Sequence, residues 1–213
     1  MTDLTTPLIT TTQQAHINLV RDLSKPGEDI LASLTPAKCE LWHHATGIAG
    51  EAGELLENAI GAQGLGNYIE ELGDLYFYIT GYKAAAGIEV TYCNIEGLDS
   101  WIDNLLGGAT DLAVLSANLL DATKKHLIYE SPLDLPEVRN TLAAIEYTIY
   151  TIAVSLLTTL DEILKANIEK LSAKRYPQGY SNQAAADRAD KLSINQPATQ
   201  PEQLSLPLES TDE

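Results

Sequence analysis

Residues 45–59 read ATGIAGEAGELLENA, and glycine and glutamate each recur there at every third position. The repeated residues are Gly47, Gly50, Gly53, Glu51, Glu54 and Glu57. The apolar residues around them have the three and four spacing of a helix, although an interior glycine costs a helix about 1 kcal/mol relative to alanine. A helix with three such glycines needs a compensating interaction, which close packing or a bound ligand would supply.

Most of the chain has the same helical periodicity. Apolar residues recur at three and four spacing through 13–23, 36–61, 66–87, 104–129 and 136–174. Pro36 and Pro136 are typical of the first turn of a helix, and the glycine-rich GAQGLGN at 61–67 predicts a turn that joins two helices into a hairpin. The predicted fold class is therefore all-α, a helical bundle.

The chain is predicted to form one domain with loose ends. Its 213 residues and 45% hydrophobic content are sufficient for a single core. We expect residues 13–192 to form the helical domain and residues 1–12 to be a flexible N-terminus. Residues 193–213 contain proline, glutamine and acidic residues without a periodic apolar face, which is typical of a flexible tail.

Net charge and composition indicate which partners the chain is expected to bind and in which compartment it is expected to work. Thirty acidic and thirteen basic residues give a net charge of −17, which argues against a nucleic-acid or anionic-membrane partner. Two cysteines without CxxC spacing predict neither a zinc site nor a disulfide framework, and the first residues lack the features of a signal peptide. Residues 142–160 are apolar enough to suggest a membrane span, but Glu146 and several threonines favour a buried helix. The predicted localisation is cytoplasmic.

Two pairs of acidic residues lie on helices that the predicted hairpin would bring together. Glu51 and Glu54 are three residues apart, as are Glu71 and Asp74, so each pair projects from one helix face. Four converging carboxylates repel one another unless they bind protons or a divalent cation, and carboxylates without histidine or cysteine favour magnesium or manganese. The alternative is that the glutamates lie on a solvated face and the glycines only ease packing.

A di-iron centre is the rival metal site for a helical bundle. Such a centre requires two Glu-x-x-His pairs on separate helices. The sequence has this spacing once, at Glu40 and His43. Aromatic residues near the acidic pairs are candidates to stack on a base, although aromatics at helical spacing are more often core residues; they are Trp42, His43, His44, Tyr68 and Tyr78.

Three segments together resemble a known enzyme family. GEAGELLE, EELGDLYFYI and ANIEKLSAKRYPQGYSNQAAADRADK, within residues 38–191, are similar to the MazG-like all-alpha nucleoside triphosphate pyrophosphohydrolases, in particular the phage type. The resemblance implies metal-dependent hydrolysis between the α and β phosphates, with two or more magnesium or manganese ions per site. It also implies a homodimer or homotetramer that acts on a small nucleotide, with dGTP or GTP favoured over dUTP or dCTP.

The resemblance also implies roles for individual residues. The implied metal ligands are Glu51, Glu54, Glu71 and Asp74, and Glu54 is in addition the candidate general base. The implied contacts to phosphate or sugar are Asn167, Lys170, Arg175 and Tyr176.

The order of the motifs departs from the family and suggests an internal tandem duplication. The KKH segment that relatives have between the acidic helices occurs here later, in KKHLIYESPLD at 124–134. Residues 41–98 and 105–171 align weakly as two helical-hairpin repeats. The residues that match the four acids in the second repeat are Leu115, Asn118, Thr141 and Ala144.

The second repeat would therefore not bind metal but would retain lysines. Lys124 and Lys125 are candidate phosphate contacts, although they also suit the end of a solvated helix. The predicted function is an enzyme that controls nucleotide pools for DNA synthesis, in a phage if the subtype holds. A non-catalytic helical metal- or nucleotide-binding protein is the alternative.

Overall fold

The computed structural model describes residues 9–62, 64–92 and 105–188, and every regular element in these ranges is helical. The α-helices are α1 (Thr11–Leu23), α2 (Gly27–Ser33), α3 (Pro36–Gly61), α4 (Leu65–Ala85), α5 (Leu105–Tyr129), α6 (Leu135–Ser155), α7 (Leu160–Glu169) and α8 (Asn182–Asp187). A π-helical turn, Lys170–Arg175, continues directly from α7. The all-α prediction is confirmed, whereas the predicted tail at 193–213 lies outside the described residues.

Local sequence signals account for where the main helices begin. Thr35 caps α3 by accepting a hydrogen bond from the backbone of Lys38, and Pro36 occupies the first turn. Asp134 caps α6 in the same way ahead of Pro136. Thr159 and Glu162 form a capping box at the start of α7.

The predicted continuous helical segment at 136–174 is wrong, because the chain bends between α6 and α7. The two helical stretches meet at 96°. Leu157 adopts a left-handed backbone conformation with φ of 57°, which ends α6, and the Thr159 cap starts a new helix three residues after Leu156. Apolar periodicity continues across this break, so periodicity alone did not reveal it.

The helices are arranged as two hairpins that share a core. α3 pairs with α4 and α5 pairs with α6, while α3 also packs along α5. Lys25 donates to the carbonyl of Ile128 at 2.6 Å, which places the end of α5 beside the segment that leads into α3, so α3 and α5 run antiparallel. α7 packs against α4. Among the described residues no single helix has the length and apolar composition to cross a membrane, and the bent combination of α6 and α7 meets both criteria only when its two parts are joined.

The two hairpins have matching burial patterns. Four residues of α3 and the four residues 64 positions later in α5 are all buried; they are Ala45, Ile48, Ala52, Leu55, Ala109, Leu112, Ser116 and Leu119. In the second helix of each hairpin the buried Leu72, Leu75 and Ile79 correspond to buried residues 70 positions later, Leu142, Ile145 and Ile149. Any two well-packed hairpins would show burial at this period, so the duplication stays a prediction. The NIEGL segment of the first repeat falls in the gap between the described ranges.

Candidate functional site

Close packing between α3 and α4 fixes which residues of the hairpin face each other. A Cβ at Gly47 would overlap the ring of Tyr78, and a Cβ at Gly81 would overlap the ring of His44. Both glycines therefore make room for a ring from the opposite helix. One and two turns further toward the hairpin loop, the same register sets Glu51 opposite Asp74 and Glu54 opposite Glu71.

The acidic residues converge as the hairpin predicts. One carboxylate oxygen from each of Glu51, Glu71 and Asp74 lies within 4.8 Å of the others. Glu71 and Asp74 are buried, with 6% and 5% of their surface exposed, and Glu51 and Glu54 are half-buried. The structure thus brings three of the four sequence-predicted ligands together on two facing helices. Glu54, three residues after Glu51 on α3, is not part of this group, so its role as a ligand stays a prediction.

The negative charges of this cluster are not fully balanced, as the raised pKa of Glu51 indicates. Burial raises the pKa of Glu51 to about 8, and a hydrogen bond with Glu71 and the charges of Asp74, Glu54 and Glu71 contribute to the rise. Glu51 therefore retains a proton at neutral pH when no cation is bound. The donor set consists of carboxylate oxygens at close range, which fits a hard divalent cation that would displace this proton.

Residues of α7 and the π-helical turn reach the same cluster from the side. Asn167 donates from Nδ2 to Asp74 Oδ1 at 2.7 Å. Lys170 donates from Nζ to Asp74 Oδ2 at 2.5 Å and to Glu70 Oε1 at 3.3 Å. Gly73 permits this approach, because a Cβ there would lie 2.8 Å from the Cβ of Asn167. Asn167 and Lys170 therefore adjoin the acids, while their predicted contacts with phosphate or sugar stay a prediction.

Arg175 and Tyr176 lie at the end of the π-helical turn, near Tyr78. Burial raises the pKa of Tyr78, the charges of Glu51, Asp74 and Tyr176 add to the rise, and the positive charge of Arg175 opposes it. Tyr78 therefore lies within electrostatic reach of both the acids and Arg175. π-helical turns are rare and occur often at functional sites.

Lys124 and Lys125 lie away from the acidic cluster. Both are exposed on α5, where their amines are 3.9 Å and 2.7 Å from the carboxylate of Asp121. The neighbouring Thr123 hydrogen-bonds to Tyr82 at 2.9 Å, which is eight residues, or about 12 Å, along α4 from Asp74. Their predicted contact with substrate stays a prediction.

The aromatic candidates to stack on a base differ in burial, and their contact with a base stays a prediction. Tyr68 is buried in the core, and Trp42 and His43 are exposed. His44 and Tyr78 are half-buried beside α4 and α3 respectively. Among the described residues, Glu51, Glu71 and Asp74 are the side chains close enough together to hold a metal ion. Glu40 and His43, the candidates for a di-iron centre, do not belong to this group.

Sequence reasoning missed Glu70 as a partner of Lys170. Glu70 precedes Glu71 and lies one helical turn before Asp74, so both Glu70 and Asp74 face Lys170, the first residue of the π-helical turn. The spacing of three residues between Asn167 and Lys170 placed both on one face of a helix, and this was the available sequence signal. To identify their partners from it, one also needed to know that α7 packs on α4.

Comparison with known proteins finds no matching family model, no matching curated protein and no matching solved structure. The resemblance to the MazG-like enzymes consequently rests on the quoted sequence motifs.

Proposed function

We propose that this chain is a metal-dependent nucleoside triphosphate pyrophosphohydrolase, which cleaves between the α and β phosphates to give a monophosphate and pyrophosphate. The observation that carries the proposal is the convergence of Glu51, Glu71 and Asp74 within 4.8 Å on one helical hairpin. The motif resemblance supplies the reaction, with dGTP or GTP as the first substrates to test. The proposed role is control of nucleotide pools, and the predicted homo-oligomer remains part of the proposal.

The acidic residues are proposed to hold magnesium or manganese, two or more ions per site. Glu51, Glu54, Glu71 and Asp74 offer only oxygen donors, which these ions prefer. When bound, the ions neutralise phosphate charge and lower the pKa of an attacking water. The raised pKa of Glu51 supports this assignment, because the cluster retains a proton where a cation would otherwise balance it.

The remaining site residues are proposed to position the substrate. Glu54 is half-buried beside Glu51 and is proposed to accept the proton of the attacking water. Lys170 and Arg175 are proposed to stabilise the leaving pyrophosphate, which develops negative charge. Asn167 hydrogen-bonds to Asp74 and thereby orients one of its carboxylate oxygens.

A non-catalytic binding protein is the second candidate, and one observation favours it. Both carboxylate oxygens of Asp74 already accept hydrogen bonds, from Asn167 and from Lys170. These bonds join α4 to α7 and would serve equally well in a polar structural contact. In that case the cluster would bind a metal or nucleotide without hydrolysing it.

Product analysis decides between the two candidates. The purified chain would be incubated with ribo- and deoxynucleoside triphosphates and magnesium or manganese, and the nucleotide products separated. Monophosphate and pyrophosphate in equal amounts, abolished by a chelator, is the expected result. Diphosphate as the product, or no turnover by folded protein, would contradict the proposal. Iron in the purified protein, with a colour, would instead indicate the di-iron alternative.

Replacement of Glu54 provides the matched test at the residue level. Glu54→Gln removes the proposed proton acceptor and is expected to lower kcat by about 100-fold or more, because general bases contribute about that much. Glu57→Gln is the control, since Glu57 is exposed on the same helix one turn further along. Equal activity of the two variants, with unchanged circular dichroism, would remove Glu54 from the mechanism.

A further inference from the structure

Asn58 lies on the face of α3 that carries the acidic residues. Successive residues of an α-helix are turned by about 100°, so Asn58 projects within about 20° of Glu51 and about 40° of Glu54. It also projects within about 20° of Gly47, whose neighbour is the ring of Tyr78 on α4. The side chain of Asn58 therefore points toward α4, one turn beyond Glu54 on the side of the hairpin loop.

The amide of Asn58 is buried without a hydrogen bond. Only 6% of the surface of Asn58 is exposed, and Nδ2 has no hydrogen-bond partner among the described residues. The buried side chains near it are Leu55 on α3 and Tyr68 and Leu72 on α4. A buried donor without an acceptor destabilises a fold, and such a group in a native protein calls for an explanation, for example a bound water, ion or ligand.

The register of the hairpin places Asn58 at the loop end of the acidic cluster. Along the register that sets Glu54 opposite Glu71, Asn58 lies opposite the first turn of α4. The rise along α3 from Glu54 to Asn58 is about 6 Å. A cation bound to a carboxylate, one of its oxygen ligands and a hydrogen bond together span about this distance. The amide is therefore within reach of an oxygen that a bound cation would hold.

Two donors on the α7 side of the cluster are already engaged. Asn167 and Lys170 both donate to the carboxylate of Asp74. Nδ2 of Asn58 is available in contrast, and an amide donates without a positive charge that would compete with a cation. Magnesium and manganese keep water ligands and are shared with phosphate groups, so each of these sources supplies an oxygen acceptor together with the cation.

We propose that Asn58 is an additional binding residue of the acidic site, whose amide donates a hydrogen bond to an oxygen held by the bound cations. This oxygen belongs to a phosphate group or to a metal-bound water, and two binding measurements separate the two sources. The inference rests on the proposed function for the presence of the cations. It explains why a polar side chain is retained at a buried position where the described protein offers its amide no acceptor.

The test measures binding and stability, so it does not require turnover. Electron paramagnetic resonance gives Kd for Mn²⁺ alone, and calorimetric titration gives Kd for inorganic pyrophosphate in the presence of Mn²⁺. Asn58→Leu keeps the branched shape without the donor, and Asn58→Ala removes the side chain without overfilling the space. Ser116→Ala is the matched control, because Ser116 is buried on α5 and its Oγ also has no hydrogen-bond partner among the described residues.

Both Asn58 variants are expected to weaken binding about tenfold or more, as for the loss of one hydrogen bond to a charged group. A loss already present with Mn²⁺ alone would assign the contact to a metal-bound water, and a loss confined to pyrophosphate would assign it to a phosphate oxygen. The ligand-free unfolding temperature of at least one Asn58 variant should equal or exceed that of the wild type, because the amide forms no hydrogen bond to lose. Ser116→Ala should change neither Kd.

The possible failures are distinguishable. Unchanged Kd values for both Asn58 variants would overturn the inference and leave the hydrolysis proposal intact. A lower unfolding temperature for both variants would show that the amide is bonded within the protein, which would overturn the inference as well. Weaker binding by stable variants of a chain that hydrolyses no triphosphate would support the inference and contradict the proposed function. Absence of Mn²⁺ binding by the wild type would overturn both.

Discussion

At the scale of single residues, the glycines of the acidic hairpin have different roles. Gly47, Gly73 and Gly81 each accommodate a side chain from another helix. Within the described part of the chain, no atom lies within 4 Å of the Cβ position of Gly50 or Gly53, so neither makes room for a neighbour there. The glycine pattern of residues 45–59 is thus only partly explained by close packing, and the space beside Gly50 and Gly53 is open.

This difference predicts opposite effects for two matched substitutions. Gly50→Ala should raise the free energy of unfolding by about 1 kcal/mol, because alanine favours a helix and its methyl group meets open space. Gly47→Ala should lower the free energy of unfolding by about 1–3 kcal/mol, because the added methyl group would overlap three ring carbons of Tyr78. One of them is Cγ, which cannot move away by rotation of the ring alone. Urea denaturation of both variants measures the two effects.

A stabilising Gly47→Ala would show that the Tyr78 ring moves aside without loss. The same result would also remove the register argument that sets Glu51 opposite Asp74, since that register depends on this contact.

The raised pKa of Glu51 predicts a pH dependence for the metal-free protein. Below pH 4.5 the carboxyl is protonated in both the folded and the unfolded chain. Between pH 4.5 and about 8 only the folded chain retains the proton, so the free energy of unfolding falls as pH rises through this window. Magnesium, which competes with that proton, should bind more tightly as pH rises toward 8.

Thermal unfolding between pH 5 and 9, with chelator or with magnesium, tests this dependence. Glu51→Gln cannot lose a proton, so its unfolding temperature should fall less over this window than that of the wild type. Glu57→Gln, on the exposed face of α3, should behave as the wild type does. Identical pH profiles for Glu51→Gln and the wild type would contradict the assigned pKa.

The acidic centre was predictable from sequence, whereas its surroundings were not. Pairs of acids three residues apart share one face of each helix, and a glycine-rich turn between the helices allows these faces to meet. The burial of Glu71 and Asp74 decides against the alternative of a solvated face for these two residues. The contacts of Lys170 and Asn167 depend on how α7 packs across α4, a long-range arrangement that spacing does not encode. The same limitation applies to Lys124 and Lys125, whose ion pairs with Asp121 lie within their own helix.

At the scale of helices, a buried ion pair joins α4 to α6. Lys83 Nζ is 2.7 Å from Glu146 Oε1, and the two side chains are only 6% and 5% exposed. Lys83 also donates to the carbonyl of Thr91 at 3.1 Å. Glu146 is thus the residue that marked residues 142–160 as a buried helix, and it has a specific partner.

Removal of one member of this pair is expected to be much more harmful than removal of both. Lys83→Met or Glu146→Leu alone should lower the free energy of unfolding by about 3–5 kcal/mol, because each leaves an uncompensated buried charge. The double variant should recover most of that loss, since buried pairs can often be replaced by apolar residues. A double-mutant cycle from denaturant unfolding measures the coupling.

Additive effects in that cycle would mean that water reaches one of the two groups and screens it. The expected coupling therefore also tests whether the packing of α4 on α6 excludes water from the Lys83–Glu146 pair.

Helix starts were easier to predict than the break within the last long segment. Thr35 and Asp134 are capping residues followed by proline, and they occur where α3 and α6 begin. The bend after α6 depends on Leu157, which adopts a positive φ that is unusual for a leucine. No glycine or proline marks this break, and the sequence signal for a new helix was the capping box of Thr159 and Glu162.

At the scale of the whole molecule, α1 lies outside the core. None of its residues is buried, and Ile17, Val20 and Leu23 are each at least 49% exposed. α2, in contrast, contacts α5. Lys25, just before α2, and Ser33, at its end, donate hydrogen bonds to carbonyls in the last turn of α5. α1 therefore contributes little to the stability of the isolated chain.

A truncated chain that begins at Lys25 should retain the stability of the full chain. We expect its free energy of unfolding to change by no more than about 0.5 kcal/mol, because none of the described residues before Lys25 belongs to the core. A chain that begins at Thr35 is the control and should lose about 1–3 kcal/mol through the missing contacts to α5. A concentration-dependent loss of stability on removal of α1 alone would instead identify this helix as a contact in the predicted oligomer.

The all-α class and the two hairpins followed from periodicity and turn residues, but their mutual arrangement did not. Matching burial along α3 and α5 agrees with the predicted repeats without proving common origin. Packing of one amphipathic helix on another tolerates many partners, so the sequence did not specify that α3 would lie between α4 and α5.

The way the hairpins interlock has a consequence for dividing the chain. The segment after α4, including Ile88 and Thr91, lies beside α6, and α7 after the second hairpin packs back on α4. A cut between Tyr92 and Leu105 would therefore give two fragments, each with an apolar helix face that only the other covers. The carboxylates would be on one fragment, and Asn167 and Lys170 on the other. Such a split protein would regain the contacts of Asn167 and Lys170 with Asp74 only on reassembly of the two fragments.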